Sequence, residues 1–334
     1  MNGQIIPGSA SNQLPWQKLV APYQTPDLWR SWGQVANSIL PYLLLWALMV
    51  WSLKISYWLT LLLAIPAAGF MIRIFILFHD CGHGSLFKSK RTNAIVGMLT
   101  GILTFSPYDR WRHDHAIHHA TAGNLDRRGT GDVLTLTVEE YQALKTWKKL
   151  FHRLINHPLV LFTIGSTSVF LIGHRFSSRT AGKRERYSVY WTNLALSGIL
   201  LLMSALIGFK AYLLIQLPIL FLGTSVGVWL FFVQHHFEGV YWARQEHWNF
   251  VAAALQGSSF YKLPRILQWF TGNIGFHHIH HLSPRIPNYN LERCHNENPT
   301  FQQVKPLTLL SSLRCSKLHL WDENQQKLVG FSDL

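Results

Sequence analysis

Four stretches of this chain, residues 35–53, 57–78, 189–208 and 211–233, are almost unbroken apolar sequence and carry one charged residue between them, Arg73. Each approaches or exceeds the roughly 20 residues that a helix needs to cross a bilayer core at about 1.5 Å per residue. In lipid the backbone must satisfy its own polar groups, which makes each stretch a helix. The composition agrees: 14% of the residues are charged and 49% hydrophobic, whereas an ordinary soluble domain carries about 25% charged residues. The expected fold class is an all-α integral membrane helical bundle with four clear transmembrane helices. Two shorter apolar stretches, 95–107 and 159–172, fit spanning, re-entrant and interfacial positions, and that choice stays open. Pro66 and Pro218 lie inside expected spans, where neighbouring helices can satisfy the freed carbonyls.

The spacing of the stretches sets a topology. If 35–53 runs from inside to outside, the short link Lys54–Ser56 sends 57–78 straight back, and His79 emerges on the cytoplasmic side. The amphipathic region 79–188 then stays there, 189–208 leaves, Phe209 and Lys210 turn the chain, and 211–233 returns with His235. The expected organisation is a cytoplasmic N-terminal segment, 1–34, followed by one membrane domain, 35–334, whose cytoplasmic cap comprises 79–188 and 234–334. The N-terminus has no basic start followed by an apolar core and a small-residue cleavage site, so no signal peptide is expected. Lys88, Lys90, Arg91, Arg175, Arg179, Lys183, Arg184 and Arg186 flank the apolar stretches, as cytoplasmic loops and patches that attract anionic headgroups do. The net charge of +14 therefore reflects a membrane surface; no aromatic-interleaved basic strip points to nucleic acid. Cys81, Cys294 and Cys315 are odd in number and share no C-x-x-C spacing, which indicates neither a disulfide framework nor a thiolate metal site.

Eight of the 18 histidines form three clusters, His79/His83, His115/His118/His119 and His277/His280/His281. Residues three or four apart share a helix face, so each cluster is expected to aim its ring nitrogens at one point. The H-x-x-H-H spacing occurs twice, more than 150 positions apart, and His235 after the last apolar stretch adds a ninth imidazole. A divalent ion takes roughly four to six ligands, so two metals are implied. Imidazole without thiolate suits iron, copper, zinc and nickel. So many neutral ligands leave the metal charge unneutralised, which favours oxygen activation over hydroxide generation. His113 and His278 fall off the ligand faces and read as partners of the ligand rings or as surface groups. His236 cannot point the same way as His235. His152, His157, His174, His247, His295 and His319 are isolated and read as structural or solvated. Asp80, Asp126 and Asp132 are the carboxylates nearest the clusters, where a ring N–H commonly finds a carboxylate partner. Arg73 lies about a turn and a half before His79, placed either to brace a carboxylate such as Asp80 or to snorkel to the interface.

These residues resemble the integral-membrane fatty acid desaturases, whose signature is one short H-x(3–4)-H box and two H-x-x-H-H boxes. Phe78-His79-Asp80-Cys81-Gly82-His83, Ile117-His118-His119-Ala120-Thr121, the run Leu125–Val133 and Thr271-Gly272-Asn273-Ile274-Gly275-Phe276 are similar to bacterial acyl-lipid desaturases, especially the Bacillus-type delta-5 enzymes. The likeness extends from about residue 35 to the C-terminus, including Trp229–Trp242 and Ser283–Tyr289. It implies a di-iron oxidoreductase that uses O2 and two electrons to form a cis double bond in an acyl chain. It also implies that His79, His83, His115, His118, His119, His277, His280 and His281 hold the two irons with His235, and that Asn273 completes the sphere through water. Membrane phospholipid acyl chains would be the substrate. Ferredoxin or flavodoxin would be the electron donor, and a bacterial cytoplasmic membrane the location. A membrane hydroxylase or carotenoid ketolase uses similar boxes and is the nearest alternative. A metal transporter or lipid sensor fits less well, because transporters place polar ligands near the bilayer midplane.

Overall fold

The computed structural model describes residues 15–334. Four helices are long and apolar enough to cross a membrane: Leu28–Ser52, Tyr57–His83, Lys183–Ile207 and Phe209–His235. They are called here the first to fourth membrane helices. The first begins ahead of the expected boundary at residue 35, because Asp27 caps it by accepting from the backbone N–H of Arg30 at 2.8 Å. The second and fourth are 27 residues each, about 40 Å at 1.5 Å per residue, against a hydrocarbon core of about 30 Å. Their last turns therefore project beyond the lipid, carrying His79, His83 and His235. Gly84, in the left-handed conformation at φ 70°, ends the second helix. Both helices run unbroken through Pro66 and Pro218.

Small residues bring these helices together. Ala64, Ala67 and Met71 of the second helix pack against Tyr42 and Met49 of the first and Ile215, Ile219 and Leu220 of the fourth. A Cβ on Gly223 would sit 3.1 Å from the Met71 sulfur, so the glycine sets the approach. The third helix buries only Val189 and Thr192. With a mean hydropathy of 1.6 over its apolar window, such a helix is at home only with lipid around it.

The two stretches left open are now assigned. The first belongs to a hairpin, Lys90–Leu103 followed by Tyr108–Thr121, which leaves the first histidine box and returns with the second. Fourteen residues reach only about 21 Å, so Lys90–Leu103 does not span. The second lies in Val160–Arg175, bent by 66° from Thr146–Ile155. Counting this bent pair as a span would leave three crossings between His118 and His235, an odd number, yet their Nε2 atoms are 3.1 Å apart. The pair therefore enters and leaves on one side.

The cap covers the projecting helix ends. Leu136–Thr137 pairs in parallel with Leu320–Asp322, which pairs antiparallel with Lys327–Val329. A second short parallel pair joins Phe260–Tyr261 to Pro306–Leu307. These small strands are the one departure from an all-α chain. Val20 and Tyr23 pack into a core with Ile279, Leu282, Leu291 and Phe301, so the described part of the N-terminal segment is fastened over the third box. All three cysteines are free and buried.

Candidate metal centre

All nine imidazoles meet at the cap end of the bundle, in two adjoining groups. His79, His83, His115, His119 and His280 form one; His118, His235, His277 and His281 form the other, with one ligand nitrogen from each residue within 4.8 Å of the rest of its group. His119 of the first group stacks on His281 of the second, ring centroids 4.1 Å apart.

The expectation that each box aims at one point is corrected by this arrangement. In each H-x-x-H-H box the first and last histidines serve one group and the middle one serves the other. His115 and His119 join the five-membered group while His118 joins the four-membered one; His277 and His281 join the latter while His280 crosses over. Adjacent helical residues diverge by about 100°, so positions i+3 and i+4 straddle the face that position i occupies. The H-x-x-H-H spacing is thus a device for reaching two points.

The geometry suits cations. Nε2 of His235 lies 3.1 Å from Nε2 of both His118 and His277. Nε2 of His119 lies 3.2 Å from that of His115 and 3.0 Å from that of His280. A metal bonded to imidazole at about 2.1 Å sets ligand nitrogens about 3.0 Å apart across a right angle and about 4.2 Å apart in line. Nε2 of His83 and of His281 are buried with no hydrogen-bond partner, an arrangement that a bound cation would relieve. Burial, reinforced by the neighbouring imidazoles, pushes His115, His119, His277, His280 and His281 well below the usual histidine range. They are neutral at physiological pH, with lone pairs free to bind metal. Nine imidazoles and no thiolate form a donor set for iron, copper, zinc or nickel.

Outer contacts fix several of the rings. Nδ1 of His79 lies 3.1 Å from Oδ1 of Asp80, whose other oxygen accepts from the backbone N–H and the side-chain amide of Asn288 at 2.7 and 2.9 Å. Asn288 in turn exchanges amide hydrogen bonds with Gln34. Nδ1 of His118 contacts Oδ1 of Asp132, and Nδ1 of His235 faces the Gly257 carbonyl at 3.3 Å. Trp111 stacks on His115 at 4.3 Å, and Phe231 lies against His118 and His235. The i, i+4 spacing of Trp111 and His115 was a signal for that contact; Asn288 lay in the run Ser283–Tyr289 that resembled the desaturases without a role being read for it, and nothing in the sequence marked Gln34 or Gly257.

Other expectations part company with the structure. Asn273 is not on a helix with His277: the helix starts at His277, and Asn273 sits ahead of it at φ 57°. Its carbonyl oxygen accepts from Gln268 and its amide donates to the Asn288 carbonyl, so both ends of its amide are taken by protein partners and neither faces an imidazole. Asp126 pairs with Arg244 and the Gln245 N–H, not with an imidazole. Arg73 neither snorkels nor reaches Asp80. It is buried, stacks on Trp269 at 3.9 Å and donates to the Trp269 carbonyl. His278 is fully buried, facing the Phe301 carbonyl at 3.2 Å, and is not a surface group; His113 is exposed. His236 turns away from His235 to Thr135. His152, His295 and His319 are buried in the cap apart from the two groups.

Known proteins are similar to this sequence. The family model described as Fatty acid desaturase matches residues 56–307, a segment that contains all nine imidazoles. A protein named Fatty acid desaturase from Bacillus subtilis (strain 168) is 48% identical over 322 residues, which is 96% of this chain and 92% of that one. A probable fatty acid desaturase of Sorghum bicolor is 28% identical over 281 residues, 79% of this chain and 69% of its own. An sn-1 acyl-lipid omega-3 desaturase (ferredoxin) of Synechocystis is 30% identical over 237 residues, 66% of this chain and 62% of its own.

Proposed function

Because the chain belongs to the fatty acid desaturase family and is therefore an oxidoreductase, we propose that it uses O2 and two electrons at a di-iron centre to place a cis double bond in the acyl chain of a membrane lipid. The observation that carries this reading is the pair of adjoining, buried, all-imidazole groups, five and four strong, at the ends of apolar helices. A C–H bond in a saturated chain offers no acidic proton and no leaving group, so acid–base or nucleophilic side chains have nothing to act on. Two irons, when bound, would activate O2, which is the oxidant: with two electrons and two protons it takes up the two hydrogens of the chain and leaves as two waters.

In this reading the five-membered group, His79, His83, His115, His119 and His280, holds one iron and the four-membered group, His118, His235, His277 and His281, the other. The remaining side chains position and insulate. Asp80 and Asp132 accept from the outer ring nitrogens of His79 and His118, fixing the tautomer that turns Nε2 inward. Trp111 and Phe231 close over the rings with apolar surface and keep water from them. Asn273 is left without an assigned role at the metals.

The acyl carrier and donor take support from a relative that is named an acyl-lipid desaturase and whose name includes ferredoxin. We therefore assign a phospholipid acyl chain as substrate and an acidic ferredoxin or flavodoxin as donor. The site then faces the cytoplasm of a bacterium, where the basic loops lie. Added salt is expected to slow electron transfer from such a donor; a rate indifferent to ionic strength would overturn docking by charge. The decisive experiment is expression in a host that lacks polyunsaturated lipids, with mass spectrometry of its fatty acids. Loss of two hydrogens at a locatable position supports the proposal, and gain of one oxygen would make the protein a hydroxylase or ketolase instead.

A further inference from the structure

The helix Thr146–Ile155 has its polar side turned inward and its apolar side turned out. Trp147, Leu150, Phe151 and Leu154, spaced i, i+3, i+4 and i+7, form one stripe and are 62, 62, 57 and 58% exposed. The inward face is made by His152 and Asn156, both buried. Arg153 donates to the Tyr141 hydroxyl at 2.7 Å, and the His152 ring packs against Tyr141 and Phe331. A helix held to its own protein by polar groups, with four large apolar side chains outward, is built to meet an apolar medium.

Two further observations identify the medium. The chain continues through Leu159 into Val160–Arg175, where Ile164, Val169 and Ile172, like Leu159, are also exposed. That segment is seated on the fourth membrane helix through Phe162 against Trp229 and Phe232. The stripe is therefore continuous with the lipid-facing surface of the bundle. Lys148 flanks it, its Nζ 5.6 Å from the Trp147 ring centroid, with no carboxylate within ion-pair distance among the described residues.

We propose that Thr146–Ile155 lies in the plane of the cap-side membrane surface, its Trp147–Leu154 stripe in the boundary between headgroups and acyl chains, and Lys148 at its flank paired with an anionic phospholipid headgroup. An in-plane helix with an apolar stripe and a basic rim binds in this way, in proportion to its buried apolar area and to the negative charge of the leaflet. The 66° bend after Ile155 is then the turn from the membrane surface into the lipid.

The test uses the full chain in vesicles. The three native cysteines are buried, so Leu150→Cys provides a single reactive thiol for a fluorescent label, with the unsubstituted protein giving the background. Metal content equal to the parent shows that the labelled protein is folded. In vesicles containing phosphatidylglycerol, a spin-labelled phospholipid is expected to quench the label several-fold more than aqueous iodide does. Vesicles of phosphatidylcholine alone, or the added change Lys148→Glu, are expected to reduce that quenching. A label open to iodide and indifferent to the lipid quencher would overturn the in-plane position. Equal lipid quenching in both kinds of vesicle would overturn the pairing with anionic headgroups. Shielding from iodide that appears only with a soluble redox partner, or only at high protein concentration, would make the stripe a protein interface and overturn the proposal.

Discussion

Asp132 is the carboxylate through which the two-metal reading is most open to attack. Its Oδ1 contacts Nδ1 of His118, a member of the four-imidazole group, and its Oδ2 takes the Gly129 N–H at 3.4 Å. Among the described residues no other carboxylate touches that group: His235 leans on the Gly257 carbonyl, and Nδ1 of His277 is buried without a partner. Asp132→Asn keeps the shape and removes the charge. Outer-sphere substitutions of this kind typically lower metal affinity about 10–100-fold, which is about 1.4–2.8 kcal/mol. The loss is expected to fall on one metal only, because the five-imidazole group has its own carboxylate, Asp80. Purified protein should therefore give up about half of its bound metal to a competing chelator at concentrations that leave the parent intact, as read by elemental analysis. Asp126→Asn is the control, since that carboxylate serves Arg244 and Gln245, and it should retain both metals. Full chelator resistance in Asp132→Asn, or equal metal loss in Asp126→Asn, would refute the reasoning.

Arg73→Met removes a buried guanidinium that stacks on Trp269; a desolvated cation–π contact is worth about 2 kcal/mol. Thermal stability should fall by that order while the metal content holds, because Asp80 is not its partner. His278→Ala should likewise destabilise the cap by about 1–3 kcal/mol by leaving the Phe301 carbonyl unpaired, with metal retained, whereas His280→Ala should lose metal from the five-imidazole group. The cap should also be acid-sensitive. Burial pushes His278 down to about 3 and His319 down to about 4 from an ordinary value of 6.5, so between those values the unfolded chain takes up protons that the folded chain refuses. Stability is then full above about pH 6.5 and falls with acidification, and His319→Gln should flatten the decline in unfolding temperature measured against pH.

The membrane architecture was legible because it follows from one-dimensional quantities. An apolar run of about 20 residues and a link as short as Lys54–Ser56 leave little freedom, and the four helices appear where the runs predict them. The stretches left open show where that logic stops. Lys90–Leu103 is apolar enough for lipid but too short to cross, and what settles its place is Tyr108 returning to donate to the Cys81 carbonyl at 2.6 Å. The aspartates show the same limit. Asp80 adjoins His79, and Asp126 and Asp132 both follow the second box, yet Asp126 is claimed by residues 244–245 and the second oxygen of Asp80 by Asn288, which no spacing rule connects to them. Arg73 was misjudged for a related reason: its position near a helix end suggested snorkelling, but Trp269, nearly two hundred positions later, supplies both a ring and a carbonyl inside the protein.

The histidine count was also legible, but the way it divides was not, and the division explains a residue that otherwise looks accidental. Each H-x-x-H-H box delivers two imidazoles to one group and one to the other, so two such boxes alone furnish three and three. The first box, with His79 and His83 one turn apart on the second membrane helix, raises one group to five. The other group would remain at three without His235, which arrives at the corresponding end of the fourth membrane helix. Three imidazoles suffice for a four-coordinate catalytic zinc, whereas a metal that takes five or six ligands keeps exchangeable positions when four imidazoles hold it. On this account His235 is the counterpart of the first box. The even number of crossings between the boxes is then the requirement that lets a helix from each side of the bundle complete one half of a shared centre.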